Sequence, residues 1–210
     1  MTPNRGEPRR RTITTAASRR SILVFTEGQR TEPVYLTHWH RMHRENVIVT
    51  IDDFHASPMQ LVEEAVAKRA IDLRAAKRGQ GAAYDEYWCV FDVDEHPHLD
   101  RALRLAEASG ISVALSNPCI ELWFLLHFED QWTEMHRHAA QRRSSELLGF
   151  GKVPTPAALA ELAGRYEEAR RRAQSLDKKH DREGAPPRSN PSTGTWRLID
   201  QITGLDDAGP

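Results

Sequence analysis

The sequence of 210 residues has only two cysteines and no hydrophobic run long enough to cross a bilayer. A transmembrane helix needs about 20 consecutive apolar residues, whereas the longest apolar stretch here, residues 119–128, is shorter and contains Glu121. Cys89 and Cys119 each lie among apolar residues, so we expect two buried thiols and no disulfide framework. The first 20 residues contain no apolar core of a signal peptide. We therefore expect a cytoplasmic protein with no membrane partner.

A strong net charge is also lacking, because 29 lysines and arginines are balanced by 30 aspartates and glutamates. The total charge therefore gives no indication of a nucleic-acid partner. The distribution is less even, since residues 1–20 carry six arginines and a single acidic residue, Glu7. A mobile basic arm of this kind could contact phosphates, or it could be a disordered tail that aids solubility. In either case we expect residues 1–20 to lie outside the folded core.

Strand-like and helix-like segments alternate from Ser21 to about residue 130. The segments SILVFT, VIVTI, YWCVFDV and ISVALSN are typical of buried strands, and helical patterns lie between them. The second helix is the clearest, with Ser57 as N-cap, Pro58 at the first helical position and Gly79 near the end. This alternation predicts an α/β core over residues 21–130, with a mostly parallel sheet flanked by helices.

The character of the sequence changes after Gln131, where charged helical sequence follows without a clear strand. Residues 155–181 are rich in alanine, leucine, glutamate and arginine, which predicts one long helix. A loop rich in proline, glycine and serine comes next, and residues 195–202 predict a short closing helix. Residues 131–210 are therefore expected to form a helical extension packed on the core.

Asp92 and Asp94 lie at the end of the third predicted strand and interrupt an otherwise apolar run. Residues two apart on a strand point to the same face, about 6–7 Å apart, so both carboxylates can approach one cation. Glu27 directly follows the first predicted strand and precedes Gly28. If these two strands are neighbours, the three carboxylates form an oxygen site suited to Mg²⁺ or Mn²⁺ rather than to zinc. The alternatives are a helix cap for Glu27 and a solvated loop for the aspartates.

Asn117 and Glu121 follow the fourth predicted strand. They share one helical turn if the next helix begins near Pro118, and Glu121 would then face the strand ends as a further ligand or a catalytic base. Alternatively, Asn117 caps that helix and Glu121 supports packing through a hydrogen bond. His96, two residues after Asp94, is a candidate general acid or base.

Candidate phosphate-binding residues lie in three loops. Arg30 follows the first strand and Lys152 lies in a turn beside a glycine, so either side chain could bind a scissile phosphate. Ser192 and Thr193 precede the closing helix, whose N-terminus could bind a phosphate. An ordinary helix-capping loop is the alternative for these two residues. Together with Asn117, these four residues are the predicted substrate-binding set.

Four motifs carry a resemblance to a known family. FTEGQRTEPVYL, VFDVDEH, SNPCIELWFLLHFED and NPSTGTWRLI, in this order and spacing, resemble the RloB-like family, proteins encoded in bacterial restriction-modification and abortive-infection loci. The resemblance spans about residues 21–199. It implies the Toprim-like fold of primases, topoisomerases and OLD-type nucleases, in which a glutamate after the first strand and a D-x-D motif after a later one hold metal. Those positions correspond to Glu27, Asp92 and Asp94.

The resemblance implies a Mg²⁺- or Mn²⁺-dependent phosphodiesterase that cuts nucleic acid, DNA or RNA, in bacterial anti-phage defence. By analogy, two cations about 4 Å apart would activate a water and stabilise the leaving oxygen. Alternatively, the chain is a non-catalytic partner that binds nucleic acid or protein and regulates a defence ATPase, since the family's loci often encode a companion ATPase. Primase-like nucleotidyl transfer ranks last, because the sequence lacks an obvious zinc-binding module or second catalytic domain.

Overall fold

The structure, a computed structural model, describes residues 19–93, 96 and 98–205. Its strands are β1 (Arg20–Thr26), β2 (Val47–Ile51), β3 (Glu86–Asp92), β4 (Ser112–Asn117) and β5 (Ser192–Thr193). They form one sheet in the order β2-β1-β3-β4-β5, in which β1 to β4 are parallel and β5 is antiparallel to β4. The predicted mostly parallel sheet is confirmed. The basic segment 1–20 lies almost wholly outside the described residues.

Eight helices flank this sheet in the described part of the chain. They are α1 (Thr31–His43), α2 (Pro58–Lys77), α3 (Leu99–Ser109), α4 (Ile120–Leu126), α5 (Arg137–Leu148), α6 (Pro156–Gly164), α7 (Tyr166–Glu183) and α8 (Thr195–Thr203). Helices α2 and α3 build the core on one face of the sheet, and α1, α4, α6, α7 and α8 build the core on the other. The predicted α/β class, with flanking helices and a C-terminal helix, is confirmed.

The side chains of β1 show why the sheet is covered on both faces. Ile22 and Val24 belong to the core that contains α1 and α8, whereas Leu23 and Phe25 belong to the core formed with α2 and α3. All four side chains are at most 1% exposed. A strand of a parallel sheet reads as a continuous apolar run because both of its faces are buried. The apolar run in β1 therefore reflects the burial of both faces of this strand, which lies inside the sheet.

The sequence signals at the ends of α2 are confirmed. Ser57 occupies the N-cap position, Pro58 is the first helical residue, and Gly79 follows the helix with a φ of 68°. Proline suits the first helical position because its missing N–H would have no intrahelical partner there. Glycine reaches a positive φ without the steric penalty that a Cβ would impose. The residues at both ends of this helix therefore match their local sequence signals, although Ser57 makes no side-chain capping hydrogen bond.

The single long helix predicted for residues 155–181 is wrong, because the segment forms two helices, α6 and α7. Helix α6 ends at Gly164, and Arg165 has φ −112° and ψ 14°, outside the helical region. Glycine is a poor helix former, and the bend lets Leu162 of α6 and Tyr166 of α7 enter the same core. Tyr166 also donates a hydrogen bond to Asp200 of α8, which holds α7 against the C-terminal helix.

The expectation that no strand follows Gln131 is also wrong, because β5 forms there. Ser192 and Thr193 pair with Asn117 and Ser116 of β4. The hydroxyls of Ser116 and Thr193 form a 2.8 Å hydrogen bond, which ties the C-terminal part of the chain to the sheet. Alternation becomes informative only over about four to eight residues. A two-residue strand therefore leaves no pattern in the sequence.

The two cysteines are buried, as predicted. Cys89 in β3 and Cys119 just before α4 are both 0% exposed, and neither forms a disulfide. Both therefore contribute to packing as small apolar groups. Among the helices that the structure describes, none combines the length and the apolar composition needed to span a membrane.

Candidate functional site

The carboxyl ends of β1 and β3 meet, because the two strands are parallel neighbours in the sheet. Glu27 directly follows β1, and its N–H donates a 2.9 Å hydrogen bond to the carbonyl of Val90. Asp92 is the last residue of β3, and its N–H donates a 3.2 Å hydrogen bond to Oε2 of Glu27. The structure therefore brings Glu27 and Asp92 together, as the sequence predicts for neighbouring strands.

A cavity of about 620 Å³ opens at these strand ends, and we call it the acidic cleft. It is lined by Glu27, Gly28, Gln29, Arg30, Thr31, Glu32, Asp92, Ile120, Glu121, Arg137, Gln141 and Lys152. Five of the residues predicted from the sequence are among them, namely Glu27, Arg30, Asp92, Glu121 and Lys152. The cleft thus combines four carboxylates with three cationic side chains.

Asp92 is 9% exposed and has two partners in addition to Glu27. Its Oδ1 accepts a 2.9 Å hydrogen bond from the N–H of Ile120, the first residue of α4. Its Oδ2 lies 3.6 Å from Nη2 of Arg137, which makes an ion pair. A buried carboxylate needs such partners because unpaired burial of charge is strongly unfavourable. These contacts explain how a charged residue is accommodated at the end of an apolar strand.

The partners of Asp92 do not fully compensate its charge. Burial raises the pKa of the Asp92 carboxyl well above its usual range, and the carboxylates of Glu32 and Glu121 raise it further. The guanidinium of Arg137 opposes this rise in pKa. Close carboxylates in a desolvated cleft disfavour joint ionisation, so the acidic cleft carries an excess of negative charge that a cation would relieve.

Glu32 is a site residue that the set predicted from the sequence does not include. It lies in the first turn of α1, is 6% exposed, and lines the acidic cleft. Burial raises its pKa, as do the nearby carboxylates of Glu121 and Glu27. A Cβ added to Gly28 would lie only 2.0 Å from Oε2 of Glu32, so the glycine makes room for this carboxylate. A second acid five residues after Glu27, on the same loop and helix start, is the signal that could have identified it.

Arg137 is the second site residue that sequence reasoning missed. It is the first residue of α5, its side chain is 36% exposed, and it lines the acidic cleft beside Asp92. The cationic residues predicted here, Arg30 and Lys152, are both exposed at the cleft. Thr31 Oγ1 donates a 2.7 Å hydrogen bond to the carbonyl of Lys152, which attaches the Lys152 loop to the start of α1.

The start of α4 corrects the prediction for Asn117. The helix begins at Ile120 rather than near Pro118, so Asn117 and Glu121 do not share a helical turn. The N-cap position belongs to Cys119, whose side chain makes no capping hydrogen bond, and Asp92 accepts from the first helical N–H instead. Asn117 ends β4 and its Nδ2 donates a 2.9 Å hydrogen bond to the carbonyl of Arg188, which overturns the alternative that it caps the helix.

A second cavity, of about 1300 Å³, adjoins the acidic cleft, and we call it the adjoining groove. It is lined by Val93, His96, Asn117, Pro118, Glu134, Met135, His136, Arg137, His138, Gln141, Lys152 and Asn190. Arg137, Gln141 and Lys152 line both cavities. His96 Nε2 lies 3.1 Å from Oε1 of Glu27. The predicted residues His96 and Asn117 therefore lie beside the acidic cleft and line the groove.

Ser192 and Thr193 are predicted site residues that line neither the acidic cleft nor the adjoining groove. They line a separate cavity of about 630 Å³ and are 5% and 1% exposed. The Thr193 hydroxyl is engaged by Ser116 and by the backbone N–H of Thr195. Both residues pair with β4, and Thr193 also accepts a hydrogen bond from the first residue of α8, whose N-cap position is Gly194.

Asp94, predicted as a metal ligand, lies outside the described residues. Among the residues that are described, no three His, Cys, Asp or Glu side chains already form a metal-ligating group. The donor chemistry of the cleft nevertheless fits a hard divalent cation, because Glu27, Glu32, Asp92 and Glu121 offer only carboxylate oxygens. Such oxygen ligands suit Mg²⁺ or Mn²⁺ better than softer metals.

Comparison with known proteins gives one positive result. A family model described as RloB-like protein matches residues 22–202. Neither the curated proteins nor the solved structures contain a significant match to the chain. The matched range includes the whole sheet after Ser21 and every described residue of the acidic cleft. The chain therefore belongs to the RloB-like protein family.

Proposed function

We propose that the protein is a metal-dependent phosphodiesterase that cleaves nucleic acid, with Mg²⁺ or Mn²⁺ as its cation. The observation that carries the proposal is the crowding of Glu27, Glu32, Asp92 and Glu121 in one cleft. Burial and mutual repulsion raise the pKa values of Asp92 and Glu32 there. If these residues had only a structural role, removing their charges would stabilise the fold. A cation-binding site, in contrast, requires the charges.

The roles of the cleft residues follow from their chemistry. Glu27 and Asp92, with Asp94 as a proposed third ligand, would hold the cation, and Glu32 and Glu121 supply further carboxylate oxygens. A divalent cation bound there would activate a water and stabilise charge on the phosphate oxygens. Arg30 and Lys152 donate hydrogen bonds to the phosphate from the exposed side of the cleft. These two residues therefore orient the scissile bond over the carboxylates.

His96 is the proposed proton carrier. Its Nε2 lies 3.1 Å from Oε1 of Glu27, at the border between the acidic cleft and the adjoining groove. An imidazole can both donate and accept a proton. His96 can therefore donate a proton to the leaving oxygen and later take one from water.

The biological setting is also part of the proposal and is supported by the family resemblance. We propose a Toprim-like fold, a cytoplasmic location, a role in bacterial anti-phage defence, and a companion ATPase from the same locus. The β1 and β3 ends that carry Glu27 and Asp92 are adjacent, as a Toprim-like metal site requires. The RloB-like family match supports the setting at the level of the family.

A second candidate function is a non-catalytic partner that binds nucleic acid or protein and regulates such an ATPase. One observation favours it: both oxygens of Asp92 already have partners, the N–H of Ile120 and the guanidinium of Arg137. An aspartate that caps a helix and pairs with an arginine can be purely structural. Cleavage by the purified chain distinguishes the two functions.

The test is to incubate the full chain with single-stranded and duplex DNA and RNA, in Mn²⁺ or Mg²⁺ and in chelator. We expect cleavage that needs the cation and is abolished in Glu27→Gln and in Asp92→Asn. Glu63→Gln is the matched control, since Glu63 is exposed on α2 and does not line the acidic cleft. Binding of nucleic acid without cleavage, with or without a companion ATPase, supports the regulatory function instead.

A further inference from the structure

We propose that the protein forms a homodimer in which the β2 strands of two copies pair antiparallel, with Ile48 opposite Ile48 of the second copy. The two five-stranded sheets then continue into each other across a twofold axis. This inference concerns a surface that the proposed function does not use, and it does not depend on the chemistry of the acidic cleft.

Strand β2 is an edge of the sheet in the described part of the chain, where its strand neighbour is β1. The N–H of Asp52, directly after β2, donates a 2.9 Å hydrogen bond to the carbonyl of Val24 in β1 and therefore points into the sheet. Backbone groups alternate in direction along a strand, so Val47, Val49 and Ile51 direct their N–H and C=O groups to the outer side of β2. A row of this kind is a template for pairing with another strand.

The β2 edge lacks the features that usually keep a sheet edge from pairing, which are short length, charged residues, prolines and bulges. The opposite edge has two of these features, because β5 contains only two residues and directly follows Pro191. In contrast, β2 has five residues, all of them uncharged and β-branched, and its register with β1 is continuous. Of the two edges, β2 is therefore the one suited to strand pairing.

Exposed apolar side chains lie on both sides of Ile48 in the sequence. Among the described residues, Met42, Ile48 and Phe54 are large apolar residues that are 53%, 37% and 39% exposed. Met42 lies six residues before Ile48, and Phe54 lies six residues after it. A twofold axis at Ile48 therefore covers this side chain with its own copy. It also brings Met42 to the end of the paired strands that carries Phe54 of the second copy.

The charges that flank β2 favour the same direction and register. Arg44 lies four residues before Ile48, and Asp52 lies four residues after it. Antiparallel pairing about Ile48 thus brings each Arg44 toward Asp52 of the other copy, whereas parallel pairing would bring like charges together. The Arg44 side chain is 72% exposed, and its 3.5 Å ion pair with the 86% exposed Glu45 is a weak surface contact.

A different axis fits these charges less well. An axis at Val49 would place Glu45 opposite Asp53 of the second copy, and like charges directly opposite each other destabilise a strand pair. With the axis at Ile48, the two isoleucines form a non-hydrogen-bonded pair, because Ile48 directs its own backbone groups to β1. The Cα atoms of such a pair are about 4.5 Å apart. Since the pairing is antiparallel, the two acidic clefts lie at opposite ends of the joined sheet.

The first test is disulfide cross-linking of Ile48→Cys, with Thr50→Cys and Ile71→Cys as controls. A disulfide spans Cα separations of about 4.4–6.8 Å, which includes the separation expected for the Ile48 pair. Two Thr50 residues would lie about 13 Å apart along the strands in this register, and Ile71 is 54% exposed on α2. After mild oxidation of the full chain, we expect a covalent dimer from Ile48→Cys alone. The native cysteines are both 0% exposed and do not compete.

The second test measures the dimer dissociation constant by sedimentation equilibrium for wild type, Ile48→Lys and Ile71→Lys. We expect a reversible dimer of the wild type. Ile48→Lys should raise the dissociation constant at least about tenfold, because two ammonium groups then meet at the axis. Ile71→Lys, which introduces the same charge on another exposed apolar residue, should match wild type.

A charge exchange tests the register by the same measurement. We expect Arg44→Glu to weaken the dimer and the double variant Arg44→Glu with Asp52→Arg to recover at least part of the loss, because the double variant restores opposite charges across the interface. Arg74→Glu is the matched control, since Arg74 is exposed on α2. A merely structural role of Arg44 would give no recovery in the double variant.

A wild type that stays monomeric at all protein concentrations overturns the inference. So does a dimer that Ile48→Lys leaves unchanged, or cross-linking of Thr50→Cys or Ile71→Cys as readily as of Ile48→Cys. The cross-linking result stands even if Ile48→Lys does not fold, because cysteine keeps an uncharged side chain at this exposed position. None of these outcomes bears on cleavage by the acidic cleft, so the dimer and the proposed function fail or succeed separately.

Discussion

The backbone N–H of Asp92 donates a hydrogen bond of 3.2 Å to Oε2 of Glu27. This contact joins the ends of β3 and β1, which are neighbouring parallel strands. One oxygen of the Glu27 carboxylate is therefore held by the backbone of another strand, while the other contacts His96. Ligands of open α/β sheets bind at the carboxyl ends of the strands, and this contact places two carboxylates there before any ligand arrives.

The first prediction concerns Asp92→Asn. Its amide oxygen can still accept from the N–H of Ile120, while the charge that Glu32 and Glu121 oppose is removed. We expect the melting temperature without metal to be unchanged or raised, and the stabilisation that Mn²⁺ gives by binding the folded state to be lost. Melts with and without Mn²⁺ measure both effects. A loss of about 1 kcal/mol or more with the Mn²⁺ response intact would identify Asp92 as a structural cap.

The second prediction concerns the space that Gly28 leaves for Glu32. The Cβ of Gly28→Ala would meet the Glu32 carboxylate, which is the flexible end of its side chain and can move away. We expect a loss of stability of about 1–3 kcal/mol, as for other overpacking substitutions, and a weaker Mn²⁺ response. If Gly28→Ala weakens Mn²⁺ binding by displacing Glu32, it should cause no further loss of Mn²⁺ affinity in a Glu32→Gln background. A double-mutant cycle measures this difference. Additive effects would mean that the two residues act separately.

The third prediction is a dependence of stability on pH that arises at His127. Burial lowers the pKa of its imidazole from the usual 6.5 to about 3, and its Nδ1 donates to the carbonyl of Trp123. Below pH about 6.5, His127 is therefore protonated in the unfolded chain but stays neutral in the folded protein. The free energy of unfolding should fall by about 1.4 kcal/mol per pH unit from this residue as the pH drops below 6.5 toward 3.

The variant His127→Gln should lack this contribution to the pH dependence, because its amide carries no titratable proton. Denaturant unfolding of wild type and variant at several pH values between about 7 and 5 measures the difference in slope. His98→Gln is the control, since His98 is exposed. An identical slope for wild type and His127→Gln would show that the buried imidazole is protonated in the fold.

The fourth prediction compares two asparagines of similar chemistry. Asn190 is partly buried and forms two hydrogen bonds with Met135, whereas Asn117 forms one hydrogen bond with the exposed carbonyl of Arg188. We expect Asn190→Ala to lose about 1–3 kcal/mol of unfolding free energy, because it leaves two backbone groups without partners. Asn117→Ala should change it by about 0.5 kcal/mol or less. Equal losses of unfolding free energy in the two variants would indicate that the two hydrogen bonds of Asn190 stabilise the fold no more than the single hydrogen bond of Asn117.

The sequence predicted strands β1 to β4 from local apolar patterns, and it predicted that Glu27 and Asp92 meet on the condition that β1 and β3 are neighbours. An apolar run marks each strand, and the parallel α/β arrangement places the strand ends side by side. Asp94 was predicted by the same pattern and lies outside the described residues. The location of the cleft could therefore be argued from two short segments, the ends of β1 and β3, once these strands are taken as neighbours.

The remaining site residues depend on packing between distant segments. Arg137 reaches Asp92 only because α5 packs beside α4, and the sequence around Arg137 carries no motif that indicates this. Glu32 matches the ordinary preference for an acid at a helix start, so the local sequence does not indicate that it is buried. Its burial depends on the space that Gly28 leaves. Ser192 and Thr193 were predicted as a phosphate loop or an ordinary capping loop, and their pairing with β4 had no signal in the sequence.

The most direct measurement of the central claim is Mn²⁺ binding to wild type and Glu27→Gln by calorimetric titration, with Glu63→Gln as the matched exposed control. Glu27 is chosen because its carboxylate lies at the junction of β1, β3 and His96. We predict saturable binding to wild type and to Glu63→Gln, and an affinity at least about tenfold lower, a loss of about 1.4 kcal/mol, for Glu27→Gln. Equal affinity in all three proteins, or no binding to wild type, would contradict a cation site in the acidic cleft.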